Sequence, residues 1–174
     1  ANGLGAASGG RGKGGGWGGG GGPRPGRGGR KDEPETLEAG PGVYGTGEVT
    51  GIGGFTHLAY YHGQVVARRI RGEEARADHV AVPRVTFTDP EVASVGLSEA
   101  AARDQGIDGV IASTDAAESA RGYIHDFHGG LLQLVGDRRR GALVGATRLS
   151  PRAAEMLGGL GRAVKGGAAR SRVA

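Results

Sequence analysis

Cysteine is missing from all 174 residues, so the chain can form no disulfide, present no thiolate nucleophile and build no cysteine-based zinc site. Long apolar runs are missing too. No window approaches the roughly 20 apolar residues that a membrane-spanning helix needs, and the first residues carry no apolar segment of a secretory signal. The expectation is a soluble, cytoplasmic protein without a membrane partner. Acidic residues are absent from both ends: Arg11, Lys13, Arg24, Arg27, Arg30 and Lys31 have none among them, and neither do Arg162, Lys165, Arg170 and Arg172. The formal charge of +4 therefore divides into +6 at the head, −6 in the middle and +4 at the tail. The part able to fold is mildly acidic and offers no broad basic face to nucleic acid.

What is abundant is glycine, at 39 residues. Residues 14–22 are glycine except for Trp17, and a weaker cluster follows Gly158. Ordering a backbone costs roughly 1–2 kcal/mol per residue, and glycine brings no side chain to offset it. The expected organisation is a disordered Gly/Arg-rich head over 1–41, a folded unit over 42–157 and a disordered tail over 158–174.

Within that unit, residues 42–44 read as a short strand entering the glycine loop GTGEVTGIGG. A helix is predicted over 55–71, with Phe55, Leu58, Ala59, Val65, Val66 and Ile70 near one face and Gly72 closing it. Gly63 inside it suggests a close approach by another backbone or a ligand. The β-branched and aromatic run 83–88 reads as a strand ended by Asp89-Pro90, and 92–97 as the next. Ser98 is a natural N-cap for a helix that Gly106 stops. Further strands are expected over 110–114, 120–127, 131–136 and 142–148, with hairpin-like turns at Gly129-Gly130 and over 137–141. Ser150-Pro151 opens a last helix carrying Ala153, Ala154, Met156 and Leu157. This order predicts an α+β fold, a mostly antiparallel sheet with helices on one face, preceded by a strand-loop-helix unit.

The glycine loop before a helix is a layout that can hold phosphate against backbone amides, although the spacing of Gly45, Gly47 and Gly51 is one residue too long for the dinucleotide fingerprint. An ordinary tight turn explains it equally well. His125 and His128 lie three apart, which on a strand points them to opposite faces, and His57 and His62 are five apart on a helix. Neither pair predicts a metal site. The Arg-Gly-Gly element at 27–29 is similar to RNA-binding segments but lacks stacking aromatics apart from Trp17.

Read in order, VYGTGEVTG, FTHLAYYHG, PRVTFTDPEVASVGLSEAAAR, ARGYIHDFHGGLLQLVGD and LVGATRLSPRAAEML resemble one family. They are similar to the C-terminal part of the FAD-dependent pyridine nucleotide-disulfide oxidoreductases, which include dihydrolipoamide dehydrogenase and mercuric reductase. TFTDPEVASVGLSE is the most specific piece and belongs in that family to the dimerisation domain. The resemblance implies that 42–78 is a remnant of an FAD-binding domain and 79–157 the dimerisation domain. It also implies a homodimer or association with a complete subunit, with Phe87, Val92, Val95, Leu132, Leu134 and Met156 as interface residues.

In the family a Gly-Asp pair sets a carboxylate against the ribityl chain of FAD. Here Gly47 is followed by Glu48, one methylene longer. Phe55, Thr56, His57, Leu58 and Ala59 are similar to the helix start whose amides face the flavin ring. These seven are the cofactor-binding residues that the resemblance implies; it implies no catalytic residue here. The redox cysteines, both dinucleotide folds and the family's C-terminal histidine and glutamate have no counterpart in the 174 residues. The expected function is the dimerisation portion of such an oxidoreductase, inactive by itself. Two other readings use the same facts: a nucleic-acid-binding module acting through the basic ends, or the product of a degraded gene.

Overall fold

The computed structural model describes residues 34–169, and the glycine-rich head over 1–33 and the last five positions lie outside the described residues. Two hydrophobic clusters organise the rest, one under a helix near the start and one under the main sheet.

The first unit begins earlier than the sequence suggests. Residues 34–41 fall in the stretch expected to lack structure, yet they carry strand β1 (Glu38–Gly40), which pairs antiparallel with β2 (Val43–Tyr44). Leu37 is the reason. It is fully buried in a cluster with Val65, Ala75 and Ala77, and a backbone bond from the Ala77 N–H to the Glu35 carbonyl, 2.6 Å, ties the segment down. A single apolar side chain in a polar context gives no period for sequence reading to detect.

Helix α1 (Thr56–Ile70) forms where expected and ends at Gly72, whose φ is +82°. Its inner face is Leu58, His62 and Val65, with Tyr61 and Val66 half-buried beside them. Ala59 and Ile70, expected on that face, are exposed. Gly63 approaches nothing: a Cβ there would meet open space.

The second unit is a five-stranded antiparallel sheet in the order β3-β4-β7-β6-β5. Its strands are β3 (Arg84–Thr86), β4 (Glu91–Gly96), β5 (Gly109–Thr114), β6 (Leu131–Asp137) and β7 (Ala142–Ser150). Helix α2 (Glu99–Asp104) starts at the Ser98 cap, whose Oγ accepts from the Ala101 N–H at 3.2 Å. The α+β class and the antiparallel sheet are as the sequence predicts.

Register explains the core. Val95 and Leu134 both stand opposite Ala146, and a β-bulge shifts pairing from Val135↔Gly145 to Gly136↔Leu143. The extra residue, Val144, returns Leu143 to the same face as Ala146. Ala93, Val95, Leu143 and Ala146 thus present one apolar surface, covered by Ala153, Leu157, Leu160 and Val164.

Two expectations fail in this unit. Residues 120–127 contain no strand; they start with helix α3 (Ala120–Ile124), because Ser119 Oγ accepts from the Gly122 N–H at 3.1 Å and caps it. Gly122 lies so close to Ala117 that a Cβ would overlap that carbonyl. Gly129-Gly130 accordingly leads out of this insert into β6 and is not a hairpin turn. The tail is the second correction. Residues 153–156 form a 3-10 turn, and α4 (Leu157–Lys165) continues through Gly158, Gly159 and Gly161 into the stretch expected to be disordered. Burial of Leu157, Leu160 and Val164 outweighs the cost of its glycines.

Candidate functional site

The glycine loop closes on itself. Residues Gly47–Thr50 make a 3-10 turn, Thr50 Oγ1 donates to the Gly47 carbonyl at 2.6 Å, and the Gly51 N–H donates to the Glu48 carbonyl at 2.9 Å. Gly47 has φ +68° and its Cα faces Ala59 of α1, where a Cβ would come within 3.0 Å of the Ala59 Cβ. Only glycine combines that conformation with that closeness. The Gly47 N–H points inward and donates to Nδ1 of His62 at 3.1 Å. The loop's inner amide is therefore used by the protein itself and is not offered to a phosphate.

His62 is fully buried, and its Nε2 lies 2.9 Å from Nε2 of His79, with the two rings edge to face. Burial pushes the His62 imidazole below the usual histidine range, and the neighbouring His79 pushes it further. His79 is also lowered by burial, against the opposing pull of the Asp78 and Glu35 carboxylates. Both shifts favour the uncharged ring. Sequence reading weighed His62 only as a metal ligand; its spacing from Leu58 and Val65 was the available signal that it is a core residue.

Among the residues implied to meet a flavin, Glu48 is exposed, and its carboxylate lies against Gly54 just before α1, 3.2 Å from where a Cβ would stand. The amides of Leu58 and Ala59 both donate to the Phe55 carbonyl at 3.1 Å, so they are committed to the helix. The amides of Thr56 and His57 have no acceptor among the described residues. Leu58 is core, and Phe55 stacks on His57 with ring centres 5.4 Å apart. His57 Nε2 donates to the Pro83 carbonyl at 2.9 Å, linking α1 to the start of the sheet unit. The set therefore splits by exposure: Glu48, Thr56, His57 and Ala59 are exposed, Phe55 is half-buried, and Gly47 and Leu58 are buried.

A cavity of about 540 Å³ lies between the two units, lined among others by His79, Arg84, Arg140, Val144, Val164 and Lys165. None of the seven residues lines it. His128 and Asp126, 3.3 Å apart, are both exposed. Of the interface residues that the resemblance implies, Val95 is buried in the chain's own core and Leu132, Leu134 and Met156 pack against that core. Phe87 and Val92 remain on the surface, 80% and 37% exposed. No helix among the described residues is long and apolar enough to cross a membrane.

The described residues thus form an antiparallel sheet backed by α4 and joined to a strand-loop-helix unit. Residues 82–174 match the family model for the pyridine nucleotide-disulphide oxidoreductase dimerisation domain, and the chain belongs to that family. Dihydrolipoyl dehydrogenase of Geobacillus stearothermophilus is 36% identical over 127 residues, 73% of this chain and 27% of that protein. The HOCl-induced flavoprotein disulfide reductase RclA from Escherichia coli is 26% identical with a TM-score of 0.66, over 74% of this chain and 30% of that one. LpdA from Mycobacterium tuberculosis shares the fold at 21% identity and a TM-score of 0.73, over 85% and 33%. The chain thus spans about a third or less of the length of these relatives.

Proposed function

We propose that the chain serves as the dimerisation portion of an FAD-dependent pyridine nucleotide-disulfide oxidoreductase similar to dihydrolipoamide dehydrogenase or mercuric reductase, acting in the cytoplasm, and that it is inactive alone. The observation that carries the reading is the antiparallel sheet over the matched residues 82–174. A boundary near residue 79 separates it from a remnant of the FAD-binding domain.

In that remnant, Glu48 would accept from a ribityl hydroxyl, and the Thr56 and His57 amides at the helix start would face the flavin ring, where the helix dipole favours negative charge. Gly47, Phe55, Leu58 and Ala59 would hold those three in place. FAD, when bound, supplies two-electron transfer between a nicotinamide and a disulfide. This chain contributes one edge of its site and no cysteine. Pairing would occur with a second copy or with a complete subunit, through a surface that includes Phe87 and Val92.

Flavin titration followed by fluorescence, with NADH and NADPH oxidation assayed in parallel, tests the reading. The expected result is no sub-micromolar binding and no turnover above the free-flavin background. Tight binding or protein-dependent turnover would overturn it.

A further inference from the structure

We infer that His62 is a positioning residue for the Thr46–Gly47 peptide, and that His79 holds it in the one tautomer able to do so, making order in this loop depend on the histidine pair being uncharged. The inference stands on the geometry of the glycine loop, α1 and His79 and holds whether or not the loop meets a flavin.

The hydrogen-bond chain has a fixed direction. Gly47 N–H can only donate, so Nδ1 of His62 must accept and carry no proton. The proton of a neutral His62 therefore sits on Nε2, and it points at Nε2 of His79 across 2.9 Å, which must in turn accept. One proton on either ring breaks this chain. On His62 it would occupy Nδ1 and confront the Gly47 N–H; on His79 it would occupy Nε2 and confront the Nε2–H of His62. Gly47 cannot readily turn away, because its left-handed φ and its contact with Ala59 place its peptide against α1.

The surroundings decide how the pair titrates. Asp78 and Glu35 raise the affinity of His79 for a proton. Each is partly engaged elsewhere: Lys165 Nζ of α4 lies 3.7 Å from Asp78, and Arg76 lies 3.1 Å from Glu35. The Tyr61 ring is 6.1 Å from that of His62, and its hydroxyl accepts from the Asp78 N–H at 2.8 Å. No carboxylate bonds to either imidazole among the described residues, and burial wins for both. A folded pKa below the unfolded value of about 6.5 means that the pair's contribution is complete above that pH and is lost as the pH falls below it.

The test is amide hydrogen exchange of Gly47 in the chain as it stands, expressed as a protection factor so that intrinsic exchange cancels, with imidazole nitrogen shifts recorded alongside. Protection at Gly47 should fall on the order of tenfold from pH 7 to pH 5 while amides in the middle of α1 change little. His62→Asn, whose Oδ1 can stand where Nδ1 does but cannot titrate, should keep Gly47 protected at both pH values. His62→Leu should abolish protection at both, and His79→Gln, an acceptor without a charge, should reduce the pH dependence to that of His62 alone. Equal Gly47 protection at pH 5 and pH 7 in the wild-type chain would overturn the inference. Should His62→Leu not fold, the nitrogen shifts decide: a proton on Nδ1 of neutral His62 refutes the arrangement, and one on Nε2 supports it.

Discussion

At the scale of single residues, the glycines separate into those the fold requires and those it tolerates. Gly96 and Gly145 face each other where β4 crosses β7; a Cβ on Gly145 would overlap the Leu97 carbonyl, and one on Gly96 the Val144 carbonyl. Nothing flexible can yield there, so Gly145→Ala should destabilise the chain by about 3 kcal/mol, measured by urea unfolding. Gly63 is the opposite case, mid-helix with open space around it. Gly63→Ala should stabilise by about 0.5–1 kcal/mol in the same assay, since it removes backbone freedom from the unfolded chain and adds no clash. Equal effects of the two substitutions would mean that the crossing of β4 and β7 is looser than its geometry indicates.

At the scale of elements, α4 shows how packing overrides propensity. Its three glycines argue against a helix, yet Leu157, Leu160 and Val164 bury against β4 and β7. Leu160→Ala should cost about 2–4 kcal/mol in thermal or urea unfolding, as expected for a leucine removed from a formed core. The same competition determines what the sequence discloses. β3, β4, β6 and β7 were legible because their apolar residues keep strand periods between turn residues. α3 was not, because tyrosine, isoleucine and phenylalanine over 120–127 imitate a strand, and the Ser119 cap that decides the matter is one residue outside that run. The candidate site residues, Gly47, Glu48, Phe55, Thr56, His57, Leu58 and Ala59, follow from resemblance alone and from no local pattern. The bond from Gly47 to His62 spans 15 residues and the one from His62 to His79 spans 17, and no local pattern announces either.

At the scale of the whole molecule, pairing should be the measurable behaviour of the chain. An obligate interface of this type buries on the order of 2,000 Å² or more. Light scattering over a micromolar concentration series should report a dimer, and Phe87→Asp should shift it to monomer with little change in melting temperature, because Phe87 is 80% exposed and contributes little to the chain's own core. A monodisperse wild-type monomer would remove the pairing role. The strand order carries a different consequence, for the route by which the chain folds. β6 and β7 meet across a short turn in which the Asp137 carboxylate accepts from the Arg139 and Arg140 amides at 2.9 and 3.1 Å. β4 reaches β7 only by closing a loop, since Gly96 pairs with Gly145 and Glu91 with Ser150. Closing that loop is entropically dearer than closing the turn, so the hairpin should already be present at the folding barrier and the β4–β7 seam with α4 should form after it. In stopped-flow experiments, Asp137→Ala should then mainly slow refolding and Leu160→Ala mainly speed unfolding, which makes this one turn the pacemaker of the chain's assembly.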